Sequence, residues 1–277
     1  MKIYPKTSKY FEGLDNMMEF VEKYKGVELQ YFEENGVIAP FDLATPVEKL
    51  MEKIPYLEEI TIHPPLCYYD IELVLFKDPN IVKEQLEIVL KLSEKYNVKI
   101  NLLYHTEWDF TKHKALTIDK IKQLIKIIEG SKVKLIFENI FMFSEKTCTV
   151  FEMAQEIDSP NCGVCFDICH LYCRANIDKA NVEEYAAKYL NPELCKKYIQ
   201  QVHFSDTKDG DGYIDHKKTH GKMHDNIDGV RYDYELLSRY NMDKCNYITE
   251  VSEDDYSIRC DQLQELRWLD KVANGEN

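Results

Sequence analysis

Short apolar segments of strand-like composition alternate with helical segments along almost the whole of this 277-residue chain. A strand followed by a helix returns to a parallel neighbour, so the alternation predicts a parallel sheet covered by helices. Eight such repeats predict closure into an α/β (β/α)8 TIM barrel, with residues 1–277 forming a single domain. The strand candidates begin near Ile3, Val27, Ile60, Ile100, Leu135, Val164, Val202 and Tyr247.

Apolar residues at helical spacing support this alternation, beginning with the stripe between Leu14 and Tyr24. A longer helix is predicted after Asp78-Pro79, and another opens at Thr117 and ends at Gly130. The longest irregular stretch, Ser205 to Val230, follows the seventh predicted strand and is expected to lie over the rim of the barrel. The remaining helices are predicted at residues 46–54, 147–157, 179–190, 232–239 and 256–272.

Composition limits the classes of partner. The net charge of −14 disfavours a phosphate backbone, although a local cationic cleft or a bound metal can override it. No apolar run approaches the roughly 20 residues needed to cross a bilayer. The segment from Met1 to Gly13 has no apolar core of a secretory signal, so we expect a cytoplasmic protein without membrane contact. A homo-oligomer is left open.

Four cysteines lie close together in sequence, at positions 162, 165, 169 and 173. The spacing invites a zinc or iron–sulfur interpretation, but Cys162 and Cys165 belong to one predicted strand. The two-residue period of a strand directs these side chains to opposite faces. We therefore expect buried, reduced thiols.

Histidine, aspartate and glutamate recur where the predicted strands end. Because the carboxyl ends of barrel strands meet at one rim, these side chains should converge on a common site. Alone, each is more often a helix cap, a surface charge or a satisfied buried polar group. Carboxylates at the ends of apolar strands are costly without a cation, however, and together the set predicts a site for divalent metal: zinc, manganese or magnesium. The expected metal ligands are His63, His105, Glu138, Asp167, His170, His203, Asp215 and Glu250.

The motifs around these residues resemble those of the xylose isomerase-like TIM barrels, which include sugar and sugar-phosphate isomerases and epimerases and type IV AP endonucleases. The resemblance covers the third to eighth predicted strands, nearly the whole chain. Its most specific motif is Gly163-Val-Cys-Phe-Asp-Ile-Cys-His170. The other motifs are Phe137-Glu-Asn, His203-Phe-Ser-Asp206 followed by Asp215-His216, and Thr249-Glu250.

In the isomerase and epimerase branch, the resemblance implies one ion held by Glu138, Asp167, His203 and Glu250. The ion would polarise a carbonyl and a hydroxyl of the substrate. Glu138 and Glu250 would be the catalytic residues, one removing a proton from a substrate carbon and the other returning it.

In the AP endonuclease branch, the resemblance implies three zinc ions that share nine ligands, of which this chain matches eight. The third ion would use His170, Asp215 and a histidine, but Lys217 stands at that histidine's position. A neighbouring histidine, His216, His220 or His224, is left open as a substitute. Few features for handling DNA are recognisable: the glycine-rich segment after Glu138-Asn139 is absent, and the rim segments carry no clear cluster of arginine and lysine.

The intact four-ligand set makes a metal-dependent isomerase or epimerase the leading hypothesis, acting on a sugar, a sugar phosphate or a related polyol or keto acid. The alternative is an AP endonuclease-type phosphodiesterase acting on abasic DNA, which His63 and His105 favour, and a nucleic-acid partner is expected only under it. A lyase or dehydratase is a third hypothesis and a non-catalytic binding module the least favoured. Substrate contacts are expected from His170, Trp108, His216 and Lys217.

Overall fold

The computed structural model describes residues 1–31, 42–65, 71–106, 110–139, 149–206 and 221–276. Within these residues, nine strands form one sheet and every pair of neighbouring strands is parallel. The strands are β1 (Lys2–Tyr4), β2 (Lys6–Ser8), β3 (Gly26–Gln30), β4 (Glu59–His63), β5 (Lys99–Thr106), β6 (Val133–Asn139), β7 (Cys162–Asp167), β8 (Ile199–Phe204) and β9 (Asn246–Thr249).

The strand order is β1-β9-β8-β7-β6-β5-β4-β3-β2, so the two ends of the sheet are β1 and β2. These two strands are consecutive in the chain and are separated by Pro5 alone. The chain itself therefore joins the two ends of the sheet, which wraps into a nearly closed barrel. This arrangement confirms the predicted TIM-barrel-like α/β fold.

The predicted count of eight strands becomes nine because Pro5 divides the first barrel strand. Proline has no backbone N–H and cannot continue a ladder of hydrogen bonds. The residues before Pro5 pair with β9, and those after it pair with β3. The carbonyl oxygen of Pro5 still accepts a hydrogen bond from the backbone N–H of Glu28, at 3.0 Å.

Helices cover the outside of the barrel. Most of the helical segments predicted from sequence are present, but short helices at 71–77, 168–177 and 192–198 were not predicted. The last helix of the long connection begins at Ile227 rather than near Tyr232, because Asn226 caps it by accepting hydrogen bonds from two backbone N–H groups. The helices are α1 (Met18–Tyr24), α2 (Ala44–Lys53), α3 (Ile71–Lys77), α4 (Pro79–Tyr96), α5 (Phe110–Ile128), α6 (Thr149–Ile157), α7 (Ile168–Ile177), α8 (Val182–Tyr189), α9 (Pro192–Tyr198), α10 (Ile227–Ser238) and α11 (Cys260–Ala273).

The two faces of the strands have different roles. On β6, Val133, Leu135 and Phe137 belong to the apolar core between strands and helices. Ile136 belongs instead to a small inner cluster with Leu103 and Cys165. By the two-residue period of a strand, the residues two positions after this inner cluster also point inward. Those residues are His105, Glu138 and Asp167, so the barrel interior changes from apolar to ionisable near the carboxyl ends of its strands.

Candidate metal and active site

Five of the predicted metal ligands lie at or beside the carboxyl ends of neighbouring strands. The strand register places His105 beside Glu138 and Asp167 beside His203. His63 is the last residue of β4, and all five are buried, with between 0 and 9% of each residue exposed. The polar residues at the ends of successive strands thus form one compact group of side chains.

Glu138 lies at the centre of this group. The Nε2 atoms of His63, His105 and His170 lie 3.6, 3.1 and 3.6 Å from its carboxylate oxygens. The Nδ1 atom of His203 lies 3.3 Å from Oε1 of the same carboxylate. Four imidazole rings from four elements therefore surround one buried carboxylate.

Glu250 immediately follows β9, and its backbone N–H donates to the carbonyl of Phe204 at 3.1 Å. Its Oε2 atom lies 2.5 Å from Nδ1 of His203, while Oε1 accepts a hydrogen bond from Lys6 Nζ at 2.6 Å. The side chain of Glu250 is 17% exposed, against 1% for Glu138. Of these two carboxylates, Glu250 is therefore the one more open to a substrate.

Asp167 serves both the fold and the candidate site. Its Oδ1 atom caps α7 by accepting a hydrogen bond from the backbone N–H of His170, at 3.1 Å. Asn139 fixes the Asp167 backbone, since its side chain accepts from the N–H at 2.8 Å and donates to the C=O at 3.1 Å. The second oxygen, Oδ2, remains directed at the site and lies 3.6 Å from Nε2 of His170.

Three combinations of these residues bring possible ligand atoms within 4.8 Å of one another. Among the described residues, Asp167 Oδ2 is buried without a hydrogen-bond partner, while the buried atoms His203 Nδ1 and Glu250 Oε2 face each other at 2.5 Å. Buried polar atoms normally have a partner, and a cation would satisfy all three. The donor set thus fits a divalent metal. The combinations are His63, His105 and Glu138; Glu138, Cys165 and His203; and Glu138, Asp167, His203 and Glu250.

Burial and neighbouring charges act against each other at Glu138 and Asp167. Burial alone would raise the pKa of Glu138, but the rings of His203 and His105 hold that pKa well below its usual value. Burial dominates at Asp167, and although His170 opposes it, the pKa rises to about 6 with further help from the Glu138 and Glu250 carboxylates. Glu138 is therefore held as a carboxylate, and Asp167 is the carboxyl that most lacks a compensating charge.

Burial and neighbouring charges shift the pKa values of His170 and His63 in opposite directions. Burial would lower the pKa of His170, but the carboxylates of Asp167 and Glu138 raise it to about 9. At His63, burial and the nearby Lys6 ammonium lower the pKa, which keeps the imidazole neutral. A neutral imidazole retains the lone pair that a metal ligand needs.

Several predicted site residues lie outside the described residues, namely Trp108, Asp215, His216, Lys217 and His220. His224, which was left open as a substitute ligand, lies outside the barrel. Its Nε2 contacts Asp233 Oδ2 at 2.8 Å, its Nδ1 contacts Glu265, and its ring packs on Phe204. Because these carboxylates belong to two helices and not to the candidate ligand group, the contacts indicate a structural role for His224.

The four cysteines at positions 162, 165, 169 and 173 are all buried, and none of them forms a disulfide, as expected for reduced thiols. Cys162 joins the core beneath the helices and Cys165 the inner cluster, so the two thiols face opposite sides of β7. Within the described residues, Cys165 is the one of the four that belongs to a combination of possible metal ligands.

Two charged residues of the barrel interior were not identified from sequence, Lys6 on β2 and Glu28 on β3. Their side chains are 3% and 0% exposed, and Lys6 Nζ lies 2.9 Å from Glu28 Oε1. The signal that could have found Glu28 is its place between two apolar residues, Val27 and Leu29, on a predicted strand. Burial of that carboxylate would have required a cation nearby.

A search of curated proteins gave no significant match. A family model described as "Xylose isomerase-like TIM barrel" matches residues 24–272. Among solved structures, the chain is similar to the probable 3-DHS dehydratase AsbF involved in petrobactin synthesis from Bacillus anthracis. That match has 14% identity and a TM-score of 0.59, and it covers 98% of this chain and 99% of the other.

A second similar structure is the IOLI protein with a binding zinc atom, with 15% identity, a TM-score of 0.60, and coverage of 99% of this chain and 97% of the other. A third is an AP endonuclease, family 2, from Brucella melitensis, with 12% identity, a TM-score of 0.56, and coverage of 97% and 98%. At these identities the likeness concerns the fold. Among the described helices, none combines the length and the apolar content needed to cross a bilayer.

Proposed function

This chain belongs to the xylose isomerase-like TIM barrel family, and from that premise we propose that it is a divalent-metal-dependent isomerase or epimerase. Its substrate would be a sugar, a sugar phosphate or a related small polyol or keto acid. The observation that carries the proposal is the grouping of Glu138, Asp167, His203 and Glu250, whose ligand atoms lie within 4.8 Å of one another.

These four residues would hold the metal, with zinc, manganese and magnesium as the candidates. When bound, the ion supplies a Lewis acid that polarises a carbonyl or hydroxyl of the substrate. Glu138 and Glu250 would move the proton. Burial alone would raise the pKa of each, but positive neighbours, chiefly His203 for Glu138 and Lys6 for Glu250, hold it well below its usual value. Both side chains are therefore held as carboxylates, the protonation state that a general base requires.

A cavity of about 160 Å³ lies beside Glu250 and supports a small polar substrate. Lys6, Gln30, Ser252 and Arg259 contribute hydrogen-bonding groups to its wall. A larger cavity of about 460 Å³ lies where strands β8 and β9 begin, and is lined by their first residues. Since TIM-barrel enzymes react at the carboxyl ends of their strands, we assign the substrate to the cavity beside Glu250.

Proton exchange in deuterium oxide tests this assignment directly. Metal-loaded protein is incubated with a panel of ketoses, their phosphates and keto acids, and deuterium uptake at substrate carbons is followed by NMR. We expect uptake with the wild type and a loss of about 100-fold or more in Glu138→Gln and in Glu250→Gln. Glu59→Gln, a buried lysine-paired glutamate at the opposite end of the barrel, is the control. Uptake that is unchanged in both site variants would reject the mechanism.

An AP endonuclease-type phosphodiesterase is the second candidate, because His63, His105 and Glu138 form a separate group of possible ligands. A one-metal isomerase does not require the two histidines as ligands. Elemental mass spectrometry of protein purified without chelator distinguishes the candidates: two or three zinc ions per chain favour the phosphodiesterase, and one ion favours the isomerase. Zinc-loaded protein that leaves an abasic-site duplex intact would exclude the endonuclease.

A further inference from the structure

Beneath the candidate metal ligands, a chain of charged side chains crosses the barrel interior from Lys6 through Glu28 to His203. The side chains of these three residues are 3%, 0% and 0% exposed, so solvent does not separate them. Lys6 and Glu28 are register partners on adjacent strands, whereas His203 lies across the barrel on β8. Among the residues that the structure describes, the three combinations of candidate ligands include neither Lys6 nor Glu28.

Glu28 contacts the ring nitrogen of His203 that faces away from the candidate ligands. Its Oε2 atom lies 2.9 Å from Nε2 of His203, and a carboxylate oxygen can only accept a hydrogen bond. The amide nitrogen of Gln201 lies farther from Nε2, at 3.3 Å. Nε2 therefore donates to Glu28. In the metal-free structure Nδ1 also faces carboxylates, at 2.5 Å from Glu250 Oε2 and 3.3 Å from Glu138 Oε1. A metal bound at Nδ1 would replace the proton on that nitrogen, and the contact with Glu28 would keep the remaining proton on Nε2.

Lys6 fixes Glu28 in turn. Its ammonium lies 2.9 Å from Glu28 Oε1 and 2.6 Å from Glu250 Oε1. The Gln201 amide donates a further hydrogen bond to Glu28 Oε2, at 3.2 Å. One buried lysine thus holds both a candidate ligand, Glu250, and the carboxylate that orients another, His203.

We propose that Glu28 and Lys6 are positioning residues that orient His203 and Glu250 toward the metal, a role that rests on the proposed metal-dependent function. Carboxylates that accept the second ring proton of a histidine ligand fix its tautomer and strengthen its binding to a metal. Removal of such a partner typically weakens metal affinity by about 10- to 100-fold.

The proposal and simple charge repulsion predict opposite effects of Lys6→Met on zinc affinity. Lys6 is a cation beside a cation site, so charge repulsion alone would make Lys6→Met bind zinc more tightly. If Lys6 positions the ligands, Lys6→Met binds zinc about 10-fold or more weakly. Glu28→Asp keeps the charge of Glu28 but shortens its reach, and we expect the same direction of change. Glu59→Gln again serves as the control for loss of a lysine-paired buried carboxylate.

The experiment measures zinc affinity by calorimetric competition with a chelator, on full-length variants whose folding is checked by circular dichroism. In parallel, NMR of zinc-loaded, 15N-histidine-labelled protein shows which ring nitrogen of His203 carries a proton. We expect weaker zinc binding in Glu28→Asp, Glu28→Gln and Lys6→Met, an unchanged Glu59→Gln, and a proton on Nε2 in the wild type. Should one variant fail to fold, the other two decide the outcome.

Wild-type affinity in the Glu28 variants, or equal or tighter binding in Lys6→Met, overturns the proposal and leaves the metal-dependent function standing. A proton on Nδ1 of His203 in the zinc-loaded wild type overturns it as well. A wild type that binds no divalent metal rejects the proposed function together with this inference.

Discussion

The Oδ1 atom of Asp167 accepts a hydrogen bond from the backbone N–H of His170, at 3.1 Å, so a candidate metal ligand is also the N-cap of α7. The two roles use different oxygens, because Oδ2 takes no part in the cap and lies 3.6 Å from Nε2 of His170. They can therefore be separated by substitution.

Asp167→Asn should keep the cap and lose the metal site. Asparagine is as good an N-cap as aspartate, and the substitution removes a buried carboxyl whose pKa burial raises to about 6. We expect metal-free Asp167→Asn to be at least as stable as the wild type in urea unfolding, with metal affinity reduced by ~10-fold or more. Asp167→Ala should lose metal affinity and also about 1 kcal/mol of stability from the missing cap. Equal destabilisation by both variants would contradict the division of roles.

Metal binding should stabilise the folded chain, because the ligand set is buried and converges only in the native state. With metal at about 100 times its dissociation constant, the gain in unfolding free energy is about 2.7 kcal/mol. We expect chelator-treated protein to unfold at a lower temperature than protein with added zinc or manganese. Glu138 belongs to all three ligand combinations, so Glu138→Gln should abolish this difference. A thermal shift that persists in Glu138→Gln would place the bound metal elsewhere.

His224 should make stability depend on pH on the alkaline side. Burial would lower its pKa, but the carboxylates of Asp233 and Glu265 raise it to about 10, above the ordinary value of 6.5. A raised pKa stabilises the fold fully below about 6.5, and that contribution falls as pH rises toward 10. Urea unfolding between pH 6.5 and pH 10 should show this decline in the wild type and a shallower one in His224→Gln. Parallel pH profiles would contradict the assignment.

The closeness of β3 to the first barrel strand leaves no room for a side chain at Gly26. A Cβ atom there would lie 2.3 Å from the ring of Tyr4. Tyr4 is buried and donates a hydrogen bond to Glu59 Oε2 at 3.2 Å, so its ring cannot easily move. We expect Gly26→Ala to cost about 1–3 kcal/mol in denaturant unfolding. Gly163→Ala, where the nearest neighbour is the flexible Gln200 side chain, should cost less, and the reverse order would contradict this packing argument.

The barrel and the grouping of His63, His105, Glu138, Asp167 and His203 could be anticipated because each depends on a local signal, a strand with a polar residue at its end. Local signals do not describe contacts across the barrel. Lys6 and Glu28 were missed because the meaning of a charged residue inside a strand depends on what lies opposite, here His203 on a strand about 175 residues away.

The helix of residues 168–177 was missed for a different reason. Its apolar residues are interrupted by polar ones at positions 170, 174 and 176, and its start is fixed by the Asp167 cap rather than by a clear apolar stripe. His224 likewise could not be classified from sequence, because the carboxylates that hold it come from two separate helices, at Asp233 and Glu265.

The division of the first strand at Pro5 makes the N-terminal segment the seam of the barrel. Its first half is the pairing partner of β9 and its second half that of β3. A chain shortened by its first eight residues would therefore expose two strand edges at once, the kind of surface through which β proteins aggregate. The shortened chain would also lack Lys6. The first eight residues therefore complete both the sheet of the barrel and the buried ion pairs with Glu28 and Glu250.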